Sequence, residues 1–240
     1  MAQTQTQNSS AEKITAPTQT KSRISKWKIV LALAIILLAY IAYDLFAPRH
    51  SKLRQFNADE VARLETAMWR SYYAKERVKL FTQMSELLRT QYNLPLARSN
   101  TVAYQAAKAA FVFKDGRNRA DYEKALPNLI NYYTSIHQVS DIDFDIEKAA
   151  KLELEWWIIH RERKQHKPGD LELALAELPA EIYRIPTDQL LEHARLRAEA
   201  MTIRDDRAEA GGVSEEDWQR IGELLKASWK SLHTAVQPAP

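Results

Sequence analysis

The chain has 240 residues, with 34 Lys and Arg against 31 Asp and Glu, 5 Gly, 9 Pro and no Cys. So few turn residues argue against an all-β fold or a glycine-loop nucleotide site, and the lack of Cys excludes disulfides, thiolate-bound zinc and cysteine nucleophiles. Residues 1–46 hold five cations (Lys13, Lys21, Arg23, Lys26, Lys28) and two anions (Glu12, Asp44), leaving 29 of each sign in residues 47–240, so the basic balance sits in the tail and nucleic-acid binding is not expected.

Residues 1–26 are rich in Thr, Gln, Ser and Ala, with Ile14 and Ile24 as the only large aliphatics. They cannot bury enough apolar surface to offset ordering entropy, and a disordered polar tail is expected. From Ile29 to Phe46 the sequence IVLALAIILLAYIAYDLF runs 18 residues with a single charge, Asp44. As a helix this spans about 27 Å, enough to cross a thin hydrocarbon core. Trp27 and Lys28 on one side, and Tyr40, Tyr43 and Asp44 on the other, are residues that favour the membrane interface. No small-x-small pair ends the apolar run, so residues 27–47 read as an uncleaved signal anchor, a single-pass transmembrane helix in contact with bilayer lipid. The cluster Lys21, Arg23, Lys26 and Lys28 favours an N-terminus in the cytoplasm and a C-terminal domain outside. Residues 48–56 read as a linker and 237–240 as a disordered end.

Residues 57–236 carry helical periodicity nearly throughout, and the expectation is an all-α domain of about seven helices, an antiparallel bundle or a solenoid-like array. Asn57, with Glu60 three residues on, begins a first long helix whose stripe Val61, Leu64, Met68, Tyr72, Leu80, Met84, Leu87 runs toward Tyr92. Leu94-Pro95 stops it. An Ala-rich second helix, 96–114, ends at Asp115-Gly116, and a third carries Tyr122, Ala125, Leu129 and Ile136 with a kink at Pro127. The stretch from Ala106 to Ala125 faintly resembles the turn of a tetratricopeptide repeat, but it occurs once, and an ordinary helical hairpin is expected. The fourth helix starts in the acidic run Asp141 to Glu147 and ends in Arg161, Arg163, Lys164 and Lys167. A fifth opens at Asp170 and is interrupted near Pro179, a sixth opens at Thr187 and closes at Gly211-Gly212, and Ser214 with Asp217 caps a seventh. The apolar stripe Trp218, Ile221, Leu225, Trp229, Leu232 of the seventh is expected to dock on the bundle.

No linear motif announces a reaction: Rossmann and P-loop phosphate cradles, the GxSxG elbow, HExxH and the helical Glu-x-x-His of di-iron bundles are all absent. No cofactor and no metal are expected. One constellation stands out on the fourth helix, where Glu153, Glu155 and His160 fall in a run that is apolar almost all round. Carboxylates there must be paired or held neutral by a raised pKa. These three residues are the candidates for an internal acid/base or metal site. The competing reading is a structural ion-pair network closed by Arg70, Arg77, Arg195 or Arg197, which is the commoner role of such groups. The leading expectation is therefore a single-pass, membrane-anchored helical binding or scaffold protein, without catalysis, that holds a protein partner. The alternative is a membrane-tethered helical enzyme or a binder of metal or small ligands.

Overall fold

The apolar run forms one helix, α1 (Lys26–Phe46), whose large side chains, among them Leu31, Leu33, Ile36 and Leu38, are exposed on every side. Among the described residues it is the one helix long and apolar enough to cross a membrane. The structure, a computed structural model, describes residues 25–48 and 50–237. The polar tail thus lies, but for its last two residues, outside the described residues, as do residues 238–240. Two compact units are present, one ending at Tyr40 and the other, from Ile41 on, containing the helical domain.

The domain is all-α and contains no strand among the described residues. Its elements are α2 (Ala58–Tyr73), α3 (Arg77–Gln91), α4 (Leu96–Asp115), the single turn α5 (Arg119–Tyr122), α6 (Leu126–His137), α7 (Ile146–Arg161), α8 (Asp170–Tyr183), α9 (Leu191–Glu209) and α10 (Glu215–Val236). Local chemistry sets most starts. Asn57, Asn118, Asp145 and Ser214 each accept a hydrogen bond from a backbone N–H of the first turn, and Ser214 with Asp217 forms a full capping box.

Several boundaries differ from the sequence expectation. The first long helix is two, because the chain turns at Ala74–Glu76, where Lys75 takes a left-handed conformation with φ of 62° and the Glu76 N–H bonds back to the Ser71 carbonyl at 2.9 Å. Pro127 does not kink a helix: it occupies the first turn of α6, where its missing N–H is not needed. Pro179 lies inside α8 without interrupting it. The stretch 187–190 forms a 3₁₀ turn before α9 begins. The linker expected over 48–56 is instead seated on the domain, with Leu53 and Phe56 buried and the Ser51 backbone paired to Val139 and Asp141. Ahead of it, buried Asp44 accepts from the Ala97 N–H at 2.5 Å, placing a carboxylate at the positive end of α4.

Gly116 ends α4 because of close approach rather than backbone freedom: a Cβ there would sit 2.7 Å from the Tyr122 ring, which stacks on Phe113 with centroids 4.9 Å apart.

Each major helix packs on its successor, α2 on α3, α3 on α4, α4 on α6, and so on to α9 on α10. α10 also packs against α2, so the array closes into a ring. The buried face of α10, with Ile221, Leu224, Leu225, Leu232 and Val236, makes that closure apolar. The inward faces of α2, α7 and α9 therefore meet across the middle of the ring, and the chemistry lies there.

Candidate functional site

Two adjoining cavities, of about 250 Å³ and about 500 Å³ and both partly open to solvent, have linings that share Glu65, Met68, Glu153 and Trp156. The sequence reason is visible on each helix. On α2 the apolar face passes through Val61, Leu64 and Met68, and Glu65 falls on it; on α7 Glu153 falls between Leu152 and Trp156. Both helices thus deliver a carboxylate inward along with the apolar side chains that drive burial.

Glu65 is held by an arginine. Its two oxygens accept from Arg197 on α9 at 2.5 and 3.1 Å, and the Trp229 indole N–H donates to the second at 2.5 Å. The Arg197 guanidinium stands between two indoles, 6.0 Å from the Trp69 ring centre and 5.9 Å from that of Trp156. A charge-assisted fork with aromatic walls on a guanidinium is a favoured geometry for a buried pair.

Glu153 has no such cation bonded to it. It accepts from the Tyr133 hydroxyl at 2.7 Å and from the Trp157 indole N–H at 2.8 Å, and its remaining accessible surface opens into the cavities. Burial pushes its carboxyl above the usual carboxylate range, while the Tyr133 and Trp156 hydrogen bonds, the charge of Arg197 and the Trp157 bond pull the other way.

Around the smaller cavity the polar groups are numerous. Tyr92, Tyr132 and Tyr183 border it without a side-chain hydrogen bond among the described residues, and Tyr183 is 5% exposed. Burial pushes the Tyr92 hydroxyl up to about 12 and those of Tyr132, Tyr133 and Tyr183 higher still. His193 also borders the cavity. Its Nδ1–H donates to the Ser228 carbonyl at 3.0 Å while the Ser228 hydroxyl donates to the His193 carbonyl at 2.9 Å. Burial, with Arg197 nearby, brings the His193 pKa down to about 4, so the ring is neutral at neutral pH.

The larger cavity is walled by Trp69, Tyr72, Tyr73, Met84, Phe111 and Trp157, and on one side by a charged group. There the Asp205 carboxylate accepts from His160 Nε2 at 3.0 Å and from Arg204 at 2.7 Å, with Arg163 at 3.4 Å. Burial alone raises the Asp205 pKa, but the bonds from His160 and Arg204 outweigh it and bring it down to about 2. The Arg204 guanidinium also lies over the Tyr73 ring at 3.1 Å. Arg161 donates to the Phe113 and Gly116 carbonyls at 2.9 and 3.2 Å, closing the C-terminal end of α4.

The structure separates the three residues singled out on α7. Glu153 and His160 border the same cavity, but His160 is bonded to Asp205 rather than to Glu153. Glu155 turns outward and pairs with Arg119 at 2.6 Å. Of the four arginines considered as partners, Arg197 alone enters the interior group; Arg70 pairs with Glu215, Arg77 lies over Phe111, and Arg195 pairs with Glu192 and Glu199 on its own helix. Among the described residues no group of three or more His, Asp or Glu forms a metal site. Glu65 and His193 were not singled out from sequence. Glu65 carries the same signal as Glu153, a carboxylate on an apolar helix face, whereas the role of His193 depends on which helix faces it.

The chain matches no family model, no curated protein and no solved structure.

Proposed function

We propose that this is a membrane-anchored binding protein whose helical ring takes a small molecule into its interior. The observation that carries the reading is the pair of adjoining cavities, about 250 and 500 Å³, walled by aromatic side chains and furnished with a few convergent polar groups. That combination of concave volume, apolar and aromatic lining and convergent polar groups is the usual character of a small-molecule site. The Tyr92, Tyr132 and Tyr183 hydroxyls, which border the cavity without a bonded partner among the described residues, add hydrogen-bonding groups that a ligand can engage. Beside the smaller cavity Ser228 Oγ lies 2.8 Å from His193 Nδ1, but Ser228 is fully buried, does not border the cavity and is bonded to the His193 carbonyl, so the reading is binding rather than catalysis. The length, apolarity and exposed side chains of α1 support anchoring, and the basic residues before it favour a cytoplasmic N-terminus with the ring on the other side.

Two measurements test the proposal. Full-length protein stays in the membrane pellet through an alkaline carbonate wash; recovery in the supernatant defeats the anchor. Native mass spectrometry of full-length protein in detergent, and a thermal-shift screen against a metabolite library, reveal a bound or binding small molecule that is lost in Ala110→Trp, which fills the larger cavity. No small molecule by either route, with a stoichiometric protein recovered by crosslinking instead, replaces the ligand reading with that of a scaffold.

A further inference from the structure

We infer that the inner cavity receives an organic cation, an ammonium or quaternary ammonium group, with Glu153 as its counter-ion. The inference rests on the ligand-binding reading above and adds the chemical class of the ligand.

The argument is one of charge and shape. The titratable groups that face the inner cavity are Glu65, Glu153, Arg197, His193 and the tyrosines. Arg197 is committed to Glu65 through an ion pair and a hydrogen bond, and His193 is neutral. That leaves Glu153, whose bonded partners among the described residues, Tyr133, Trp156 and Trp157, supply hydrogen bonds but no positive charge; the charge of Arg197 reaches it, but the Arg197 guanidinium is bonded to Glu65. The cavity is thus one cation short of matching its carboxylates. Six rings, Tyr92, Tyr132, Tyr133, Trp156, Tyr183 and Trp229, stand among the aliphatic side chains of its lining, and the negative face of a π-system attracts a cation. One of these rings already stabilises a cation, since Arg197 lies within reach of the Trp156 face. The Tyr183 hydroxyl, which borders the cavity without a bonded partner among the described residues, offers an acceptor for an ammonium N–H.

Other ligands fit less well. A bare metal ion needs several oxygen or nitrogen ligands at about 2.0–2.6 Å, and no three His, Asp or Glu converge among the described residues. An anion would meet Glu65 and Glu153 together. A neutral ligand would fill the space but bring no charge to Glu153.

The test is calorimetric titration of full-length protein in detergent with charged and neutral isosteres: choline against 3,3-dimethylbutan-1-ol, and butylammonium against pentane. At least one cation of the pair binds, and binds about tenfold or more tightly than its neutral partner. Glu153→Gln, which keeps the shape, abolishes the preference for charge. Equal binding of charged and neutral isosteres in the wild-type chain, or an unchanged preference in Glu153→Gln, overturns the inference. So does failure of both cations while other compounds in the thermal-shift screen bind; the cavity reading then stands and its ligand class is wrong. The wild-type comparison decides the matter even where the variant fails to fold.

Discussion

Glu153 and Glu155 stand two residues apart on α7 and face opposite environments, the first bonded to Tyr133 and Trp157 inside the ring and the second paired with Arg119 on its outer side. Two helical steps turn a side chain by about 200°, so neighbours of this spacing cannot share a face. The consequence is an asymmetry in cost. Glu155→Ala removes a pair whose members are 38% and 58% exposed, and the expected loss is within about 0.5 kcal/mol. Glu153→Ala leaves the Tyr133 hydroxyl and the Trp157 N–H without an acceptor and widens the cavity, for about 2–4 kcal/mol. Thermal unfolding of full-length protein in detergent separates the two; equal losses at both positions contradict the geometry.

Acid should destabilise the domain through His193. Its folded pKa, about 4, lies below the ordinary value of 6.5, so in that interval the unfolded chain binds a proton that the folded chain refuses. Stability from this group is fully present above pH 6.5 and is lost as pH falls toward 4, by about 3 kcal/mol. Glu153 acts with the opposite sign. Its raised pKa favours the fold below 4.5, and that contribution fades as pH rises. The clean comparison is therefore wild type against His193→Asn, whose side-chain amide can still donate to the Ser228 carbonyl while no longer titrating. Denaturant unfolding at pH 7 and pH 4 should show the stability difference between the two chains shrinking or reversing in acid. A difference that stays constant with pH removes His193 as the cause.

Much of the fold was legible because helices announce themselves by period and cap. Asn57 and Ser214 were readable as starts, the start of α7 at Asp145 falls within the expected acidic run, and the seventh expected helix matches α10 with its buried stripe. The break between α2 and α3 was not readable, for a physical reason: the turn uses Lys75 at φ 62°, not Gly or Pro, and the apolar stripe continues across it. Arg184 and Asn93 do the same work after α8 and α3. In a chain with 5 Gly, the helix ends at Lys75 and Arg184 fall on residues that carry no turn signal. The candidate site was half legible for a similar reason. A carboxylate on an apolar face marks burial, and Glu153 showed it, but the partner that neutralises Glu65 comes from α9, 132 residues further on. Periodicity within one helix says nothing about which helix faces it across a ring.

The Lys75 turn carries its own prediction. A left-handed conformation costs an ordinary L residue about 1 kcal/mol or more, and glycine adopts it freely. The turn lies at the C-terminal end of α2, where such a residue closes the last carbonyls, so glycine fits the motif. Lys75→Gly should therefore raise the unfolding free energy by about 0.5–1 kcal/mol, after allowing for the greater freedom of glycine in the unfolded chain. A clear loss of stability instead means that the Lys75 side chain makes a contribution larger than the backbone strain.

The Glu65–Arg197 pair should reveal itself through non-additivity. Glu65 is 5% exposed, and each member offsets the desolvation of the other. Arg197→Met leaves the carboxylate buried with the Trp229 N–H as its remaining bonded donor, a state that costs about 3–5 kcal/mol. Glu65→Met strands the guanidinium in the same way, although Trp69 and Trp156 soften that loss by about 1 kcal/mol through their faces. In the double variant no buried charge remains, and two flexible apolar side chains fill the space. Its loss should be smaller than that of either single variant, which places the coupling energy well above the few tenths that independent sites show. Unfolding of the four chains in one detergent and at one pH completes the cycle. Additive losses mean that the two residues are stabilised by their separate surroundings and that the pair does not hold the centre of the ring.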